Sequence, residues 1–128
     1  MKKLNLLLAL AAIGLPGCAQ QYDMENPRNI EDFVASTVDS MGRGFGPSEK
    51  QFEKYWQCAA PSIPGLAKSL NSAQIATVEE AIKVLKEDPE ANRPDLVMAM
   101  TMVQAEIFEN GKDTLVNCMK EAGIPIPY

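Results

Sequence analysis

Downstream of residue 18 this chain has only two cysteines, Cys58 and Cys118, and no other covalent feature restricts its fold as strongly. What the pair does depends on the compartment, and that is written in the first twenty residues, MKKLNLLLALAAIGLPGCAQ. Lys2 and Lys3 form a short positive start, Leu4 to Leu15 is an almost uncharged apolar run, and small residues follow at Gly17, Cys18 and Ala19. This is the composition of an export signal. The run is shorter than the ~20 apolar residues that span a bilayer as a helix. An exported chain meets an oxidising compartment, where Cys58 and Cys118 are expected to be bridged. The chain-entropy model gives a loop of that length about 4 kcal/mol, a large share of a small domain's stability. Two free buried thiols would instead require a cytosolic protein, and the signal argues against that.

Leu15-Pro16-Gly17-Cys18 resembles the lipobox of bacterial lipoproteins, in which Leu, a small residue and Gly or Ala precede a cysteine that is diacylated and becomes the mature amino terminus. Pro16 departs from the pattern. The rival reading is ordinary signal peptidase cleavage after Ala19, with Gly17 and Ala19 as the small pair and a soluble periplasmic product. The lipoprotein resemblance implies a signal peptide over 1–17, lipidation of Cys18 and membrane attachment through the acyl chains. Ala19 in place of Asp beside the lipid resembles the pattern that sends lipoproteins of enteric-type bacteria to the outer membrane. The resemblance covers the first 19 residues and is silent on the rest.

Two of the 12 basic residues fall in that signal, whereas all 17 acidic ones follow it, which leaves the mature chain at a net charge of −7. Such a surface is a poor partner for nucleic acid and for anionic lipid head groups. The remaining length suits one domain, read as a polar tether over 18–27 and a helical domain over 28–128.

Helix punctuation divides that domain. Asn26-Pro27 reads as an amino-terminal cap and first position, with Glu31 and Asp32 complementing the dipole and Ile30, Phe33, Val34, Thr37, Val38 and Met41 on one face. Gly42 to Pro47 interrupts regular structure. Ser48, with Gln51 three residues on, opens a second helix carrying Phe52, Tyr55, Trp56 and Ala59 inward and Cys58 at the edge. Pro61 and Pro64 limit it, and Pro64-Gly65 separates it from a short piece, Leu66 to Leu70. Asn71-Ser72 caps a third amphipathic stretch with Ile75, Val78, Ile82 and Leu85, which stops at Asp88-Pro89. Pro94 opens a longer helix to about Asn110, with Leu96, Met100, Val103 and Ile107 in a stripe, and Gly111 is read as its terminator. A last short helix, Lys112 to Ala122, turns Leu115, Cys118, Met119 and Ala122 inward and closes at Gly123. Ile124-Pro125-Ile126-Pro127-Tyr128 is expected to be an extended tail. No stretch alternates as a half-buried strand does. The expected fold is all-α, a small bundle of four or five short helices stapled by one disulfide, with an extended proline-rich carboxyl-terminal tail.

The sequence contains no histidine. That removes the usual zinc sites, the serine and cysteine triads and histidine acid–base chemistry. No glycine-rich phosphate loop or calcium loop is present, and neither a resident metal nor a cofactor is implied. Glu79-Glu80 and Glu106-Glu109 are formally an acid and base pair, but charged helix positions are by default solvated, so no catalytic residue is assigned and the chain is expected not to be an enzyme. Met98, Met100 and Met102 resemble the thioether motifs of periplasmic copper(I) handlers. On a helix Met98 and Met102 share a face and Met100 points away, which leaves copper a weak alternative.

Two segments look more like contact surface: Phe45 in its glycine loop, and Ile124, Ile126 and Tyr128 in the tail, a preorganised extended ligand for another protein's groove. The competing reading folds both back as lids over the ends of the bundle. The expectation is a non-catalytic exported lipoprotein that binds another envelope protein. Its rivals are a periplasmic immunity protein that neutralises a secreted toxin and a small acid-stress chaperone; Trp56-Gln57-Cys58 faintly resembles the Trp-x-Cys of two-cysteine helical chaperones.

Overall fold

The computed structural model describes residues 22–90 and 93–126 of the chain. The signal segment, Cys18, Pro127 and Tyr128 lie outside the described residues. Among the described residues five α-helices follow one another: α1 (Ile30–Arg43), α2 (Glu49–Ala59), α3 (Ile63–Lys68), α4 (Ser72–Glu87) and α5 (Pro94–Glu121), with a 3-10 turn, Ala60–Ser62, joining α2 to α3. No strand occurs among the described residues. The all-α bundle with its single staple is therefore the observed fold, and Cys58 and Cys118 are bridged with their Cα atoms 5.5 Å apart.

Local chemistry sets most of the boundaries. Ser48 accepts from the Gln51 N–H while the Gln51 side chain accepts from the Ser48 N–H, and Asn71 and Gln74 repeat the arrangement at the start of α4. Both are capping boxes, satisfying two amino-terminal donors that a helix leaves open. At the far end, the Gly123 N–H donates to the Lys120 carbonyl and the Ile124 N–H to the Met119 carbonyl, with Gly123 at φ 81°. That is a Schellman closure.

The first helix starts three residues later than Asn26-Pro27 suggests. Asn29 is its cap, because the Asn29 side chain accepts from the Asp32 N–H, and the preceding turn is held by the other end of the same Asp. The Asp32 carboxylate takes the backbone N–H of Asp23 at 3.2 Å, the backbone N–H of Arg28 at 2.9 Å and the Arg28 Nε at 3.0 Å. It is only 1 % exposed. Burial alone would raise its pKa, but the Arg28 side-chain and backbone hydrogen bonds, with that of Asp23, prevail and hold the carboxyl below its ordinary range. Tyr22 and Met24 pack on the core beside this clamp. Tyr22 and Met24, which lie in the segment read as tether, are thus part of the fold.

Three glycines and a proline behave differently from their sequence reading. Pro64 and Gly65 lie within α3 rather than ahead of it, with Pro64 in the first turn where its missing N–H costs nothing. Gly111 does not end a helix. The stretches 94–110 and 112–121 are one helix of 28 residues, and Gly111 is buried where a Cβ would come within 2.9 Å of Leu66 Cδ2. The glycine allows α3 to approach α5, a packing role that periodicity along one helix does not reveal. Gly42 likewise sits inside α1, beneath the Tyr55 ring.

The core gathers Phe33, Val34 and Val38 of α1, Tyr55, Trp56 and Ala59 of α2, Ile63 and Leu66 of α3, Val78 of α4, and Val103, Ile107, Leu115 and Met119 of α5. Helix α1 touches all four others, and α5 spans the bundle against α2, α3 and α4. No helix among the described residues is long and apolar enough to cross a membrane.

Candidate functional site

Most of the residues singled out in the sequence are drawn into the fold. Ile124 is 3 % exposed and belongs to the core. Its position explains why: it is the residue after the glycine of the Schellman closure, which characteristically packs against the helix's last turn, here against Met119. Phe45 and Ile126 are half-buried against the same core. Ile124 therefore offers no exposed contact surface, while Phe45 and Ile126 are partly covered by the core. Tyr128 and Cys18 are outside the described residues. Cys58 is half-buried and Cys118 buried, joined to each other. Glu79, Glu80, Glu106 and Glu109 are all exposed on helix surfaces, and no cluster of metal-binding carboxylates and cysteines occurs among the described residues.

What remains outside is on α5. Val97 is 62 % exposed, and Met98 and Met102 are each 68 % exposed, whereas Met100 is half-buried against the core. The Met-x-Met-x-Met run is thus split, two thioethers outward and one inward, as helical geometry requires. Thr101 and Ala105 are also exposed. With spacings of three and four, Val97, Met98, Thr101, Met102 and Ala105 form one outward stripe about 12 Å long at 1.5 Å per residue. Leu85, 41 % exposed, stands two residues before the end of α4, which leads into α5. The stripe is anchored at its start by Arg93, whose Nη2 lies 3.0 Å from Asp95 Oδ2. That pair lowers the Asp95 pKa, chiefly through the side-chain hydrogen bond.

Sequence reasoning assigned the inward stripe of α5 but overlooked this outward one. A signal existed: no charged residue occurs between Asp95 and Glu106. A helix with one face in water ordinarily carries charge there, so ten uncharged residues in a row, just under three turns, mark an exposed face that lacks it. Methionine on such a face is an adaptable contact residue, since its unbranched thioether moulds to irregular surfaces.

A second surface lies at the junction of α1 and α2. The Arg43 guanidinium stands 3.9 Å over the Phe52 ring, and Phe52 stacks on Trp56 with ring centroids 6.2 Å apart. Arg43 is also held by Asp39 at 3.2 Å. Its cation is thus already engaged by a carboxylate and an aromatic face. This arrangement fixes the end of α1 on α2.

No family model, curated protein or solved structure matches this chain.

Proposed function

We propose that this chain is an exported lipoprotein, acylated at Cys18 and anchored on the periplasmic side of the outer membrane, which works without catalysis by binding another envelope protein. The single observation that supports this reading best is the uncharged stripe of Val97, Met98 and Met102 on a helix whose other face is packed. Exposed large apolar side chains grouped on one rigid helix are a common feature of protein contact surfaces. Methionine is enriched in such contacts. The apolar run Leu4 to Leu15 behind two lysines and the lipobox-like Leu15 to Cys18 support the address.

The address is tested by intact mass: the mature chain should begin at a diacylated Cys18, and an unlipidated chain beginning at Gln20 would refute it. The contact is tested with a photoreactive residue at Met98, compared with one at Thr114, an exposed position on the same helix. Met98 should give a discrete adduct with one envelope protein and Thr114 none. Introducing Met102→Lys should abolish the adduct without changing the melting temperature. Equal labelling at both sites, or indifference to Met102→Lys, would exclude this face.

A further inference from the structure

We infer that Met98 and Met102 are a paired oxidation site: peroxide converts both to sulfoxides ahead of the other methionines of the fold, and the change closes the outward face of α5 to its partner while leaving the bundle intact. The closing of the face rests on the contact proposed above. The oxidation itself does not.

The fold sorts its methionines by access. Met98 and Met102 are each 68 % exposed, Met119 is 1 % exposed, and Met24, Met41 and Met100 pack against the core. The contrast is sharpest within one run. Met98, Met100 and Met102 share a helix and nearly the same sequence surroundings, yet the middle one turns inward. An oxidant has to reach the sulfur lone pair, so the outward two react first. One helical turn apart, they place both sulfurs on the same stripe. The cysteines of the bundle offer no competing thiol, since Cys58 and Cys118 are joined to each other.

The step is a two-electron oxygen transfer. A lone pair of the thioether sulfur forms the S–O bond as the O–O bond of hydrogen peroxide breaks; the thioether is oxidised to the sulfoxide, and the second peroxide oxygen leaves with both protons as water. Two thiols of a methionine sulfoxide reductase reverse it: they are oxidised to a disulfide, and the sulfoxide oxygen departs as water.

The stripe has nothing to give the new oxygens. Val97 and Ala105 carry no side-chain donor, and Thr101, the one polar side chain between the two methionines, already donates its hydroxyl to the Val97 carbonyl at 2.9 Å. The sulfoxides are therefore satisfied by water, and a partner covering them with apolar groups would strip that water away. Neither side chain belongs to the core, so the fold does not feel the change. The relation is reciprocal, because a bound partner shields the sulfurs it covers.

The test begins with the mature protein in hydrogen peroxide, sampled at intervals, with each site assigned by peptide fragmentation. Met98 and Met102 should gain oxygen several-fold faster than Met24, Met41, Met100 and Met119, and the melting temperature should stay unchanged once both are oxidised. Equal or faster oxidation at Met100, or a melting temperature that falls as the pair reacts, would overturn the inference. The contact is then read with a photoreactive residue at Thr101, the oxidised protein being freed of peroxide before it meets envelope extract. Oxidation should abolish the adduct, and a mixture of reductases for both sulfoxide epimers should restore it. Met98→Gln with Met102→Gln should lack the adduct without peroxide, and Met98→Leu with Met102→Leu should keep it after peroxide. An adduct that survives oxidation of both methionines, or one lost equally in the Leu pair, would overturn the closing of the face. No adduct from the untreated chain would refute the contact and the switch with it, while the peptide map alone decides the oxidation site.

Discussion

Tyr55 of α2 donates a 2.6 Å hydrogen bond to the main-chain carbonyl of Val38, and its ring fills the place that the missing side chain of Gly42 leaves on α1. Tyr55 is fully buried, and burial first, then the nearby Asp39 carboxylate, pushes its phenol upward, so the hydroxyl remains a donor at any physiological pH. Gly42→Ala forces a methyl into a ring fixed at its far end. The expected cost is about 2 kcal/mol in urea unfolding, since overpacking outweighs the gain in helix propensity. Tyr55→Phe, which removes only the hydrogen bond, should cost about 1 kcal/mol.

Gly111 gives a contrasting outcome. The atom an added Cβ would meet is a terminal methyl of Leu66, at 2.9 Å, which can rotate where the Tyr55 ring cannot. Gly111→Ala should therefore fall within about 1 kcal/mol of neutral, the helix gain offsetting the displacement. In a Leu66→Ala background the same change should become stabilising. Additive effects of the two substitutions in thermal unfolding would disprove the contact as the cause.

The bridge between Cys58 and Cys118 joins residues 60 positions apart. Either Cys→Ala change should lower stability by about 4 kcal/mol on the chain-entropy model. The double variant should be no worse than either single one, because both remove the same bond. Free thiols titrating in the aerobically purified protein would contradict the structure directly.

Asp32 predicts a response to acid. Its carboxyl is held low in the fold, so its contribution is present above the unfolded value near 3.9 and lost as pH falls through the lower folded value. The melting temperature should drop as pH is taken from about 5 to about 3, and Asp32→Asn should flatten that drop. At neutral pH the same variant should cost about 2 kcal/mol, the charge-assisted bonds from Arg28 and Asp23 being gone. A wild-type and a variant curve of equal slope would show that other carboxylates govern acid unfolding.

Features that depend on neighbours in sequence could be read before the fold was known. Ser48 with Gln51, Asn71 as a cap and Gly123 as a terminator are local rules, and each operates in the structure. The cysteine pairing needed only the compartment and a count. Features that depend on a distant partner could not be read. Gly111 carries the residue type of a helix end, but its role is set by Leu66 of another helix. Asp32 was legible as a first-turn acid, yet its grip on Asp23 required the preceding turn to fold back. A contact surface was sought where the chain could not be helical. The surface proposed above lies instead on a regular helix, because the tail's Ile124 completes a helix closure and the outward side of α5 has no partner of its own among the described helices.

The placement of Cys118 and Ile124 bears on the order in which the chain can mature. Chains emerge amino end first. Helix α1 is made early, but the face it buries is closed by α5, and the buried Ile124 follows only after the whole of α5. Throughout synthesis of the first hundred residues Cys58 has no partner thiol downstream. The core therefore cannot close, nor the bridge form, before α5 and the turn after it have been made.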